Sequence, residues 1–235
     1  MSPVQVWEEP PNKISHVWDI LFCLRYNGRM KLLILGAAGR TGKQLVDQAL
    51  AAGHSVTAFI RQHDAELQDN SNIVTVIGDA RNQSDIKKAL SGQDAVISTL
   101  GSSKPGDRVI AASTKALIAA ATSQSIRRVI VMSSFLATQN FQPNPIVKFV
   151  LKLMSSIVAD IHSGEALLQT SGLDYTIVYA TRLRNDPLNP HYKVVNTHEK
   201  VGSGDSISRA DVAEFLLQQL TDTTYLRKTV MITDK

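Results

Sequence analysis

The chain has 235 residues, 43% of them hydrophobic and 20% charged, with a formal net charge of +4 and a pI of about 9.2. This balance excludes a disordered chain and suits one α/β unit with a sizeable core. Its lysines and arginines are scattered rather than massed, so nucleic acid is not a required partner; the single cysteine, Cys23, rules out an internal disulfide and fits a reducing, cytoplasmic setting.

Residues 1–29 read as an N-terminal extension, distinct from the α/β pattern of residues 30–235. The extension holds Trp7, Trp18 and three of the eight prolines. Its apolar run His16–Leu24 is too short to span a membrane and carries Asp19. Glu8 and Glu9 precede it and no small-residue cleavage site follows, so it is a poor signal peptide. Two readings stay open: a loosely packed tail or short helix, and a helix that binds a partner or a membrane surface.

From Met30 onward, strand and helix alternate. Strands are predicted at Lys31–Leu35, Ser55–Ile60, Ile73–Ile77, Ala95–Leu100, Arg128–Met132, Tyr175–Tyr179 and Thr229–Thr233. Helices are predicted at Thr41–Ala52, Asp85–Leu90, Val109–Ser123, Ile146–Thr170 with a break, and Arg209–Leu220. Ser84 and Ser208 read as N-caps, and Ser208 with Asp211 resembles a capping box. This order implies a Rossmann-like, doubly wound parallel sheet with helices on both faces.

The first strand runs into Gly36, Gly39 and Gly42, spaced G-x-x-G-x-x-G, and then into a helix. A strand, a glycine turn and a helix N-terminus make a cradle for a pyrophosphate: backbone amides and the helix dipole face the anion, and glycine lets the backbone approach it. The alternative is a purely structural turn. After the second strand stands Arg61, where an NAD site places an acid for the ribose 2′-hydroxyl. Arg40 in the turn can reach the same region, and two guanidiniums suit a 2′-phosphate, so NADP(H) is preferred over NAD(H).

Ligands in such sheets bind beyond the carboxyl ends of the strands. Those ends carry Gly78 and Asp79, Leu100 and Gly101, Ser133 and Ser134, and Ala180, Thr181 and Arg182. Asp79 is placed to accept from an adenine amino group. Residues 146–161 hold an apolar stretch with Lys148 and Lys152 one turn apart. It reads as a helix flanking the sheet, or else as a lid over the substrate or a dimer face. No metal-ligand set is read.

The runs GAAGRTG, GDARN, DAVISTLG, RRVIVMSS, SGLDYTIV and ISRADVAEFLL occur in the order and spacing of the atypical short-chain dehydrogenase/reductase family. From Met30 to the C-terminus the chain resembles its NmrA-like, NAD(P)H-binding branch, which includes biliverdin reductase B, a flavin reductase. The resemblance implies a Rossmann fold and a nicotinamide cofactor touched by Gly36, Ala38, Gly39, Arg40, Thr41, Gly42, Arg61, Asp79, Ala80, Leu100, Gly101, Ser133 and Thr181. It places Ser134 beside the nicotinamide as the candidate catalytic residue. In the loop that closes over it, the usual Arg-Pro or Pro-Pro is replaced by Ala180-Thr181. Candidates for substrate contact are Ser134, Asp160, His162, Tyr179 and Arg182, with a plain surface histidine as the alternative for His162.

The chain departs from the larger family at its proton relay. Active members use a Tyr followed four residues later by a Lys, which lowers the tyrosine pKa. The residues four after Tyr175, Tyr179, Tyr192 and Tyr225 are Tyr179, Leu183, Asn196 and Thr229. What is expected is NADPH-dependent hydride transfer to a flat conjugated acceptor, a flavin, quinone or tetrapyrrole, which needs little acid catalysis. The alternative is a non-catalytic NADP(H) sensor or scaffold with a protein partner at residues 1–29 or 146–161.

Overall fold

In the computed structural model, residues 28–102, 106–138, 141–195 and 199–234 are described. The proposed extension therefore lies outside the described residues apart from Gly28 and Arg29, as does Cys23. Among the described residues twelve strands are seen: β1 Lys31–Leu35, β2 Ser55–Ile60, β3 Ile73–Ile77, β4 Ala95–Ser98, β5 Arg128–Ser134, β6 Phe141–Gln142, β7 Asp174–Ala180, β8 Arg182–Arg184, β9 Lys193–Val194, β10 Val201–Gly202, β11 Ser206–Ser208 and β12 Lys228–Thr233. The helices are α1 Arg40–Ala51, α2 Ala65–Gln68, α3 Gln83–Leu90, α4 Val109–Ser123, α5 Pro145–Leu153, α6 Ser155–Gln169 and α7 Arg209–Gln218, with a 3-10 turn at Phe135–Ala137.

Eight strands form one sheet in the order β3-β2-β1-β4-β5-β7-β12-β9. All pair in parallel except β9, which runs antiparallel to β12. Two small parallel pairs, β6 with β10 and β8 with β11, stand outside it. Strand order reverses between β1 and β4, which opens a crevice at the carboxyl ends of these two strands.

Alternate residues of each buried strand face opposite sides, so the sheet carries two apolar layers. Leu32 and Ile34 pack with Leu45, Val46 and Ala49 of α1 and Val212, Phe215 and Leu216 of α7. Leu33 and Leu35 pack on the other side with Ile86 and Leu90 of α3, Leu117 and Ala120 of α4 and Leu168 of α6. A third, smaller cluster joins Phe135, Phe141, Val195, Val201 and Met231, with Val147 and Leu151 of α5 packed against it.

Several boundaries differ from the sequence reading, each for a local reason. The cap of α3 is Asn82 rather than Ser84; its Oδ1 accepts from the Ser84 amide at 2.9 Å and from the Ser84 hydroxyl at 2.8 Å. β4 stops at Ser98, and the Thr99 hydroxyl turns back onto the Leu35 and Gly36 carbonyls, each at 3.2 Å. The long helix breaks at Met154, the residue that ends α5 and begins α6. α7 ends at Gln218. Ser208 does cap α7, accepting from the Asp211 amide at 3.0 Å, but the Asp211 carboxylate does not reciprocate; it accepts from the Asn189 amide at 2.7 Å. Among the described residues no helix is long and apolar enough to cross a membrane.

Candidate functional site

The glycine turn leaves β1 through Gly36, whose φ of +80° lies in the left-handed region. The Gly39 amide closes the turn on the Gly36 carbonyl at 2.9 Å, and α1 begins there. Gly39 is the N-cap and has no side chain to bond the helix amides; no acid stands in the first turn. The first amides of α1 are thus left for an external acceptor, in the field of the helix dipole. A Cβ at Gly42 would sit 2.1 Å from the Gly36 carbonyl oxygen and 2.8 Å from Ala37 Cα, so glycine alone permits this turn-to-helix packing. A Cβ at Gly101, across the crevice, would meet no protein atom within 4 Å. These features suit a pyrophosphate and its ribose: bare amides on one side and space without a Cβ on the other.

The exposed Arg40 and Arg61 flank this cradle, and neither is in an ion pair among the described residues. Asp64, the first acid after Arg61, is engaged elsewhere, 3.2 Å from Lys43 Nζ and capping α2. The Asp79 carboxylate is gripped by the Arg81 guanidinium at 2.6–3.0 Å. Those bonds hold its pKa below the ordinary value, and the Arg61 charge adds to the effect. Arg40 acts elsewhere: Arg209 is pushed down by burial first and by the charge of Arg40 second. The two guanidiniums thus address different stretches of the sheet edge. Ala38 is exposed in the turn, Thr41 is buried in the first turn of α1, and Ala80 is buried against the α3 side of the core.

Beside the cradle lies a cavity of about 280 Å³. Its walls are mainly apolar, from Leu100, Ile110, Val131, Met132, Phe135 and Ile161, with Ser133, Ser134, Glu165, Arg182 and Arg209 as the polar and charged groups that carry its chemistry. Of the residues singled out from the sequence, Leu100, Gly101, Ser133, Ser134, Ala180, Thr181 and Arg182 line it. Ser134 Oγ accepts from the Leu136 amide at 3.4 Å. Thr181 is buried, its hydroxyl donating to Thr233 Oγ1 at 3.0 Å and its amide to the Ile232 carbonyl at 3.4 Å.

Three of the candidate substrate contacts fall outside that wall. His162 is on the outer face of α6, with its side chain 56% exposed. Tyr179 donates its phenol to Glu165 Oε2 at 2.8 Å. Asp160 is buried and capped in place: Oδ2 accepts from Ser102 Oγ at 3.0 Å and the Ile110 amide at 2.9 Å, and Oδ1 from the Ala111 amide at 3.0 Å. It is the acceptor for the N-terminus of α4, not a group free for substrate.

Glu165 is the residue the sequence reading missed. It is 8% exposed, lines the cavity, and accepts from Ser133 Oγ at 2.6 Å through Oε1 and from Tyr179 through Oε2. His162 Nδ1 stands 3.8 Å from Oε2. Burial pushes its pKa up, against the opposing effect of the Ser133 and Tyr179 bonds. Burial and the neighbouring carboxylate push the Tyr179 phenol strongly up, so it stays protonated. The signal was faint: one of two acids in a helix of mixed composition, following Gly164, whose lack of a side chain lets α6 approach Ile110 of α4.

An open parallel sheet, a glycine turn feeding an uncapped helix, and an apolar cavity at the carboxyl edge define a Rossmann-like nucleotide-binding protein. The chain belongs to the NAD(P)H-binding family, whose profile matches residues 36–223. An uncharacterised chloroplastic protein of Arabidopsis thaliana, At2g34460, is 30% identical over 204 residues, covering 81% of this chain and 71% of that protein. The uncharacterised sugar epimerase YhfK of Bacillus subtilis is 29% identical over 204 residues, covering 82% and 89%. Among solved structures, a short-chain dehydrogenase/reductase of Veillonella parvula in complex with NADP superposes with a TM-score of 0.72 at 23% identity, covering 86% of this chain and 94% of that one. The anaerobillin reductase ChuY of Escherichia coli O157:H7 superposes with a TM-score of 0.71 at 23% identity, covering 86% and 96%. At these identities the two structures establish the shared fold.

Proposed function

We propose that the protein is an NADPH-dependent reductase that passes a hydride to a flat, conjugated acceptor of the flavin, quinone or linear tetrapyrrole kind. The reading is carried by one observation: a mainly apolar cavity opens at the carboxyl edge of the sheet, beside a helix N-terminus whose amides have no side-chain cap. The pyrophosphate belongs on the amides of the α1 first turn, with Gly101 facing the ribose. Arg61, free of ion pairs among the described residues, favours the extra phosphate of NADP. The reduced nicotinamide, when bound, supplies the hydride. Leu100, Val131 and Ile161 exclude water and hold a planar acceptor, while Ser134 orients it. The NADP complex and the anaerobillin reductase among the structural neighbours point the same way. A cytoplasmic setting goes with this chemistry and with the single cysteine.

The test is a coenzyme titration joined to an acceptor screen. NADPH oxidation should be sustained with at least one of FMN, dichlorophenol-indophenol, a soluble quinone and biliverdin, and NADPH should bind more tightly than NADH. Tight coenzyme binding without turnover on any acceptor would instead favour a non-catalytic sensor or scaffold. That second reading draws on α5, where Ile146, Phe149, Val150 and Leu153 are exposed along one short helix, a surface suited to a protein partner.

A further inference from the structure

We infer that Glu165 and Ser133 form a proton-delivery pair for the reduction, standing in for the absent Tyr-x-x-x-Lys relay; the inference rests on the reductase reading above. Hydride addition leaves negative charge on an acceptor heteroatom, and a mainly apolar site must supply a proton to it. Glu165 is the carboxyl group among the residues that line the cavity. The guanidiniums of Arg182 and Arg209 in the same wall serve as charge partners and hydrogen-bond donors rather than proton donors.

The geometry gives the pair two states. With Glu165 ionised, the Ser133 hydroxyl points at Oε1 across 2.6 Å. With Glu165 protonated, the carboxyl donates along the same line to Ser133 Oγ, and the serine hydrogen turns toward the cavity. Burial favours the protonated state to a higher pH than an ordinary glutamate reaches. Every element packed around the carboxyl has a defined part. β5 brings Ser133, and β7 brings the Tyr179 phenol, which holds Oε2 and keeps its own proton. α4 brings Ile110 and Thr114 against Gly164. α6 itself brings His162, whose half-exposed ring stands 3.8 Å away as the link to solvent.

The step balances. The acceptor takes two electrons with the hydride from the reduced nicotinamide. The Ser133 O–H bond breaks as a new bond to hydrogen forms on the acceptor heteroatom. The Glu165 O–H bond breaks as the Ser133 O–H bond is restored, leaving a carboxylate. A solvent proton passing by His162 returns Glu165 to its acid form. Ser133 is the catalytic residue of the pair, and Glu165 acts through it.

The first test needs no coenzyme or acceptor. Infrared titration of the purified protein should show a protonated carboxyl band whose midpoint lies above that of an ordinary glutamate. The band should be absent in Glu165→Gln, and its midpoint should move higher in Tyr179→Phe, which loses a bond favouring the ionised form. The second test is turnover with dichlorophenol-indophenol across pH. Wild-type kcat should fall as pH rises through the infrared midpoint. Glu165→Gln and Ser133→Ala should each lose on the order of 100-fold in kcat, Glu165→Gln should keep its NADPH affinity and lose the pH dependence, and Ser133→Thr should restore most of the rate. A Glu165 midpoint in the ordinary range, or a Glu165→Gln enzyme with the wild-type rate and profile, overturns the pair. If the wild type reduces no acceptor, the reductase reading fails and takes the pair's catalytic role with it. The infrared result then still separates a shared proton between Ser133 and Glu165 from an ordinary ionised carboxylate.

Discussion

Replacing Gly42 by Ala adds one methyl group at the most crowded point of the coenzyme cradle. That Cβ would lie 2.1 Å from the Gly36 carbonyl oxygen and 2.8 Å from Ala37 Cα, where ordinary van der Waals contact begins near 3.4 Å. Both neighbours are backbone, and Ala37 is fully buried, so no flexible side chain can give way. The start of α1 must shift by roughly 1 Å, at a cost of about 1–3 kcal/mol for overpacking. A displacement of that size moves the amide donors out of register with the phosphates, and losing charged hydrogen bonds of about 1.5–3 kcal/mol costs on the order of 100-fold. Calorimetric titration with NADPH should therefore show about 100-fold weaker binding, and thermal unfolding should show a folded but less stable protein. Gly101→Ala is the control, because its Cβ meets no protein atom within 4 Å. Stability should stay within about 0.5 kcal/mol of wild type while NADPH binding weakens, since only a ligand occupies that space. Wild-type affinity in a folded Gly42→Ala protein would refute the placement of the phosphates on the α1 amides.

Four further outcomes are expected. Arg61→Asp should weaken NADPH by roughly 10- to 100-fold, the scale of about 1.5–3 kcal/mol for charged hydrogen bonds, and leave NADH little changed; an unaltered ratio of the two dissociation constants removes Arg61 from the cofactor argument. Asp160→Ala strips the acceptor from two α4 amides and the Ser102 hydroxyl, and should cost about 2 kcal/mol, or roughly 4–8 °C in Tm for a chain of this size; an unchanged Tm would show that the cap is unimportant. Ser134→Ala should lower kcat more than it lowers NADPH affinity, and an intact rate clears Ser134 of any role in turnover. Glu165 has a raised pKa, so the fold prefers its neutral form. Its contribution to stability is full below the ordinary pKa of 4.5 and is lost as pH rises through the raised value. Wild type should therefore lose stability relative to Glu165→Gln over that range in denaturant titrations, and parallel curves would contradict it.

The parallel sheet was legible because its strands are short apolar runs separated by helix-period segments, and burial on both faces leaves such runs little choice. The glycine turn was legible for a related reason: Gly42 answers a steric demand from Gly36 and Ala37 a few residues away, and Gly36 a left-handed φ of its own. Glu165 was not legible, because its role arises from Ser133 and Tyr179, which are 32 and 14 residues away in sequence and are brought together by the pairing of β5 with β7. Asp160 misled in the same way; its partners belong to Ser102 and the start of α4, some fifty residues earlier. The short strands β6 and β8 to β11 carry only two or three residues each, too few for a period to show.

The small cluster of Phe135, Phe141, Val195, Val201 and Met231 gathers side chains from distant parts of the chain just outside the sheet edge, with the cavity wall beginning at Phe135. Tyr179 is the residue it shares with the α3-side layer of the core. Because Met231 lies on β12 and Tyr179 on β7, this cluster ties the loop segments beyond the sheet to two of its paired strands. The far end of the cavity wall is thereby anchored to the sheet through side chains as well as through the chain itself.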